Sequence, residues 1–484
     1  MSNKHNYSSY TISVDSLVNA ISGDKPEKLS LYKDAGDYFR HAPANKKKLA
    51  QLNTELKNLT IALQTQDNEN ARILEQQIGH LKQQYETEYL SQESYRTRRL
   101  NDAISVCLNI LSLSEGADFD ETQLKTAKFL TTMVLFSPEK GKKLAELHHS
   151  LKPAYKAVLG LRLLDKLVSD GVMKNAYVLK NYDADKRYEH DKTNYECYTQ
   201  AVIMPIILAA ILQDVGLEHP VLKELLEGKE GGKDRFRLLE QHEREKMSAL
   251  NYQYTMDYLK NGLGCKQAGA VTGNYIAEFD EVEQKRLKFQ LSLVLDVKSL
   301  KLGTSEIIKI PQIYASIIFS TKRDYQRKYL PTASTLISQL AVKKVLSPKV
   351  SEIFISIVGL FPLGFGITYI AQDKNGYDLN FYEYAIVTGL NPPKPDYAIF
   401  RLVTRKLMFL TRGKTDVVTK NQNLHFEFAR KKLVKIDSKR LTEIMKKLSH
   451  NYSIKDSKPI IPYYWEPHTY FCVQGNQKLW GDDG

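Results

Sequence analysis

Pro348 to Val403 decides how the chain is read. It contains Val358-Gly359-Leu360-Phe361-Pro362-Leu363-Gly364-Phe365-Gly366-Ile367, then Asp373-Lys374-Asn375-Gly376-Tyr377, then Tyr384-Ala385-Ile386-Val387, and closes on Asn391-Pro392-Pro393-Lys394-Pro395. An apolar helix is expected to end at Gly359, and Pro362 and Gly364 make a corner. Two β-rich runs flank the Asp373–Tyr377 turn and predict a small hairpin. After the prolines, Tyr397–Val403 is placed to add a third strand. Leu346-Ser347-Pro348-Lys349-Val350 opens the preceding helix, with Ser347 as cap and Pro348 at the first helical position.

Outward from this stretch, 484 residues exceed one ordinary compact domain, and the 42% of apolar residues suffices for real cores. The four cysteines, Cys107, Cys197, Cys265 and Cys472, form no CxxC pair, which fits buried free thiols in a reducing compartment and gives no metal knuckle. Met1-Ser2-Asn3-Lys4-His5 lacks the pattern of a secretory signal. The longest apolar run, Ala201–Leu212, is twelve residues long, against the roughly 18–20 a bilayer span needs. No membrane span and a cytoplasmic location are therefore expected. The formal charge is +13, and Arg401–His450 holds 14 Lys and Arg against 4 Asp and Glu. Such a segment is either a solvated basic surface or a patch for nucleic acid, anionic lipid or an acidic partner.

Toward the N-terminus, Thr11-Ile12-Ser13-Val14 alternates like a short strand, and a short helix capped by Asp15 or Ser16 follows it and stops by Gly23. Leu49, Leu52, Leu56, Leu59 and Leu63 keep a heptad seam, and Leu74, Ile78, Leu81 and Tyr85 repeat it. Between them Gln66-Asp67-Asn68-Glu69-Asn70 is polar, so either one long helix crosses a stutter or two helices fold back. Two short seams can bury each other, which favours the hairpin. It serves as a self-association or partner-docking arm, or packs on its own domain. Amphipathic helices continue to about Ser169, with Ser137-Pro138 as one boundary and a helix start expected at Pro153. The C-terminal aromatics Tyr463-Tyr464-Trp465 and Trp480 either cover a groove or offer a docking surface.

The corner, hairpin and Pro-rich exit resemble the C-terminal end of the HD-GYP family, helical metal-dependent phosphohydrolases that cleave cyclic di-GMP. The resemblance runs from about Lys186 to Val403. It implies a mainly α fold: a helical HD-type domain with a small C-terminal β-hairpin, preceded by a helical, coiled-coil region. The implied layout is 1–44 N-terminal segment, 45–100 coiled-coil hairpin, 101–185 helical module, 186–405 HD-GYP-like domain and 406–484 basic and aromatic extension. Leu212-Gln213-Asp214-Val215-Gly216 is similar to the family's "L-H-D-I-G", with Gln213 where the ligand His belongs. Ile307–Ser316 is similar to the helix that ends in a ligand Asp, and Ser316 stands there. His242 falls near another ligand position, without the flanking Pro and Gly; His190 precedes the core. The "H-H-E-x-x-D-G-x-G-Y-P" motif has no counterpart: between Asn251 and Glu283 stand Gly262-Leu263-Gly264 and Gly269–Tyr275, and no His lies between His242 and His425. Ser320-Thr321-Lys322-Arg323-Asp324-Tyr325 is similar to "T-S-x-R-P-Y", which implies Arg323, Lys322 and Tyr325 as ligand-binding residues on the phosphate side.

Two metal ions need imidazole and carboxylate ligands. Asp214 and His242 are the candidates, each with an ordinary alternative, a structural carboxylate and a surface histidine. The expectation is a degenerate HD-GYP-like signalling protein that binds cyclic di-GMP or a protein partner without hydrolysis. A second is an active phosphodiesterase, using divalent Fe or Mn, in which Asp257, Glu278, Asp280 or Glu281 converge on Asp214 and His242. The third is a nucleic-acid or anionic-surface binder acting through Arg401–His450.

Overall fold

The computed structural model describes residues 7–23, 29–64, 68–136, 141–181, 187–188, 197–268, 275–295, 304–433 and 461–480. His190, the Ser137-Pro138 boundary, the Gly269–Asn274 run and residues 434–450 of the basic segment lie outside them. The described chain is mainly helical, with a small antiparallel sheet toward the C-terminus. No described helix is long and apolar enough to cross a membrane. Two compact units form, each from several stretches of chain: Met1–Val18, Leu108–Ala210 and Leu295–Gly484 in the first, Asn19–Cys107 and Ile211–Val294 in the second.

The first helix, α1 (Ser9–Ser22), includes the run expected to be a strand. Thr11, Val14, Leu17, Val18 and Ile21 are its buried positions, a helical spacing that four residues of Thr-Ile-Ser-Val do not reveal. In the second unit, α2 (Leu31–Leu63) starts on Ser30, whose hydroxyl accepts from Lys33 N–H, and α3 (Asn68–Ser114) returns beside it. Lys48 Nζ lies 2.6 Å from Glu88, and Gln92 donates to the Asn45 carbonyl, so the helices are antiparallel. Of the seam residues only Ile78 is fully buried; the leucines and Tyr85 are half-buried.

At the base of this hairpin Phe39 packs against Tyr38, His219, Tyr254 and Tyr258. Helix α9 (Gln241–Asp257) runs into a π-turn, Tyr258–Leu263. A helix end leaves carbonyls without partners, and two α3 guanidiniums supply them: Arg96 Nη1 donates to Leu263 O and Cys265 O, Arg99 Nε to Gly262 O.

The first unit is centred on α5 (Lys142–Ser169), buried almost throughout from Leu151 to Leu167, with Pro153 inside it and not at its start. Helix α11 (Glu306–Ile318) lies against α5 at Gly160, where a Cβ would come 2.9 Å from Ile307 O. Four buried charges, Glu115, Arg162, Asp165 and Arg187, neutralise one another; Arg162 Nη2 is 2.6 Å from Glu115 and 3.1 Å from Asp165. A buried ion needs such partners because its desolvation is costly.

Helices α12 (Thr332–Val342) and α13 (Pro348–Val358) follow. Ser347 caps α13 by accepting from Val350 N–H, and Gly359 ends it at φ 67°, left-handed backbone that suits glycine. The sheet then forms in the order β1 (Gly366–Gln372), β2 (Asp378–Val387), β3 (Ala398–Leu402), β6 (Thr415–Val418), every pair antiparallel. Asp373 accepts from the N–H groups of Asn375 and Tyr377 and so shapes the expected β1–β2 turn. A two-stranded ribbon, β4 (Thr404–Arg405) with β5 (Met408–Phe409), rises between β3 and β6. None of β4, β5 and β6 was expected from the sequence.

The C-terminal aromatics cover the sheet. Trp465 stacks on Tyr384 and donates its indole N–H to Ala385 O at 2.9 Å, while Tyr470, Phe471 and Leu479 complete a core with Leu135, Ile386 and Val403. All four cysteines are free; Cys107 is buried, whereas Cys197 and Cys472 are exposed, contrary to the expected buried thiols.

Candidate functional site

Helix α11 stops at Ile318, and the chain crosses to α12 through Ser320–Tyr329. The segment expected to bind ligand lies here, in the first unit. Tyr325 turns inward: its hydroxyl donates to Ile318 O at 2.9 Å, satisfying an orphan carbonyl of the last helical turn. Its ring meets the edge of His148, on α5, with centroids 4.7 Å apart. His148 Nδ1–H donates to Ser320 O at 2.7 Å, which fixes its tautomer and leaves Nε2 as the acceptor. Phe319 packs edge-on against both His148 and Tyr155.

The electrostatics follow from this burial. His148 is only 3% exposed. Burial lowers its pKa to about 4, and the Arg327 and Lys152 cations push the same way against the Ser320 hydrogen bond. Burial also pushes the Tyr325 phenol up to about 12. The imidazole is therefore neutral near pH 7.

Lys322 and Arg323 occupy the exposed crest of the crossing, beside Asp324. Arg327, mostly covered, pairs with Glu466 at 3.1 Å; the Tyr464 hydroxyl donates to the other Glu466 oxygen at 2.9 Å. Lys322 and Arg323 are therefore the exposed cations of this pinned turn, with Lys328 half-buried nearby in the chain and Arg327 already neutralised by Glu466. Such a crest is suited to an anion that a guanidinium can grip through two N–H groups. Sequence reasoning missed His148, whose anchoring carbonyl is 172 residues away. The only local signal is the His148-His149 pair at the head of an apolar helix.

The metal candidates belong to the second unit. Asp214 sits where α7 (Met204–Leu212) passes into the 3-10 turn Val215–Glu218. Asn251 and Thr255 of α9 donate to Gln213 O, and Gly216 N–H donates to Thr255 Oγ1. His242 lies at the other end of α9, nine residues before Asn251, or about 13 Å along the helix. Its side chain is 75% exposed and sits 3.3 Å from Glu240. The helix that holds the Asp214 corner thus keeps His242 away from it, and the two do not form a joint metal site. Asp257 is engaged by Tyr38, Asn261 and Lys46, Glu281 by Lys285. Ser316 is exposed and donates to Ile313 O within its own helix.

These residues do not fit a two-ion iron or manganese centre: the amide of Gln213 and the hydroxyl of Ser316 are poor donors for those ions, and His242 is out of reach. Among the described residues no three His, Cys, Asp or Glu side chains converge as a metal nest. Compared with known family models, curated proteins and solved structures, the chain matches none.

Proposed function

We propose that the chain is a catalytically degenerate HD-GYP-like protein that works by binding, in cytoplasmic bacterial regulation, with cyclic di-GMP as the first candidate ligand. The observation that carries this reading is the pinned crossing after α11, where His148 and Tyr325 fix a turn that holds Lys322 and Arg323 at its exposed crest. The order α11, cationic crossing, α12, α13, glycine corner and hairpin supports the HD-type scaffold. The α2–α3 hairpin, proposed as a coiled coil, is the arm for self-association or for a protein partner. Its seam leucines stay half-exposed, and Ile61 and Ile73 near its tip are 63% and 55% exposed.

Calorimetry with cyclic di-GMP, with and without Mn²⁺, tests the ligand. Binding without metal is expected. Arg323→Ala should weaken it ten- to a hundred-fold, roughly what the loss of a charge-assisted hydrogen bond removes. Turnover of the nucleotide on adding Mn²⁺ would establish an active phosphodiesterase instead. Absence of binding in either condition would remove cyclic di-GMP and leave the protein partner.

A further inference from the structure

Twelve residues separate β3 from β6, and they form a finger. Lys406 and Leu407, at the β4–β5 turn, both have positive φ, 52° and 63°, a conformation usually left to Gly, Asn or Asp. A buried carboxylate holds it. Glu383, 4% exposed, accepts from Thr404 Oγ1 at 2.7 Å, from Leu407 N–H at 3.2 Å and from Lys406 N–H. At the finger's foot Gly413 passes so close to β3 that a Cβ would lie 1.6 Å from Leu402 O.

What the finger presents is apolar at its end and basic around it. Met408 is 71% exposed and Phe409 54%. Arg405, Lys406, Arg412 and Lys414 are exposed, and among the described residues none of the four is in an ion pair. No acidic residue occurs between Asp396 and Asp416. Exposed apolar side chains flanked along the chain by unopposed cations match a surface with a hydrocarbon interior and an anionic face.

We propose that the β4–β5 finger docks on anionic lipid, with Met408 entering the headgroup–acyl boundary, the open face of Phe409 resting against it and the basic side chains engaging lipid phosphates and carboxylates. The inference is independent of the cyclic di-GMP reading. Nucleic acid fits less well. Met408 has no ring to stack, and the Phe409 ring, the one aromatic of Thr404–Lys414, already lies against Tyr470 at 5.3 Å, so a base finds no open platform.

Cosedimentation of the full chain with phosphatidylcholine vesicles, with and without phosphatidylserine, tests it. Partition into the anionic vesicles alone is expected, falling with added salt. Arg405→Glu and Arg412→Glu should each weaken it at least five-fold, roughly the worth of one juxtamembrane charge. Met408→Ser should cost roughly ten-fold, with an unchanged thermal midpoint because the side chain is largely in solvent. Lys343→Glu makes the same change of net charge at an exposed site on another element, and should leave partition unaltered.

Equal partition into neutral vesicles, no partition into either, or an equal loss with Lys343→Glu would overturn the proposal. So would binding of a single-stranded oligonucleotide, lost in the same finger variants, while vesicles leave the protein in the supernatant.

Discussion

His148 shows how much one side chain can settle. It is buried, neutral and hydrogen-bonded to Ser320 O, and its pKa is lowered to about 4. An unfolded histidine titrates near 6.5. Between these values the unfolded chain binds the extra proton, so stability falls as pH falls. The contribution is complete above about pH 6.5. Urea unfolding should show a loss of roughly 2 kcal/mol at pH 5 relative to pH 7, and His148→Phe should flatten that slope. An equal slope in the variant would assign it to other groups, among them His219, His425 and His468, whose pKa burial also lowers. Neighbouring positions were readable in advance where their partners are close in sequence: Ser347 caps a helix three residues on, and Asp373 closes its own turn. Tyr325 was singled out as a ligand contact, yet its hydroxyl is spent on Ile318 O and its ring on His148. The path of α5 past α11 decides that, and no local pattern states it.

At the level of elements, legibility tracked pattern length. Heptads repeated over several turns located α2 and α3, and a Pro–Gly corner followed by alternating runs located β1 and β2. Thr11–Val14 is too short to separate a period of 2 from one of 3.6. β4 and β5 are two residues each and depend on Glu383, some twenty residues away. Gly359 is where a single substitution tests the corner that first suggested the fold. It lies at φ 67°, and an added Cβ would come 3.0 Å from Pro392 Cγ. Gly359→Ala should therefore destabilise the chain by about 1–2 kcal/mol, read as a lower thermal midpoint. An unchanged midpoint would mean that the Pro-rich exit yields without cost.

For the whole molecule, the expected layout treated residues 186–405 as one continuous domain, whereas Ile211–Val294 clusters with Asn19–Cys107. Tyr32 donates to Ile211 O, Phe39 packs on His219 and Tyr258, and Arg96 and Arg99 cap the π-turn after α9. A chain beginning at Leu108 should therefore lose order in Ile211–Val294. Limited proteolysis with mass spectrometry should find cuts there that the full chain resists; equal resistance would show that the segment stands alone. The first unit has a tie of its own, since Ser8 N–H and Thr11 Oγ1 both donate to Gln477 Oε1, at 2.8 and 2.9 Å. During translation, residue 477 leaves the ribosome roughly half a minute to a minute and a half after residue 8. Through that interval the opening helix lacks its Gln477 partner, and the sheet lacks its tryptophan cover. A nascent polypeptide halted before Trp465 would expose that apolar face to chaperones and proteases.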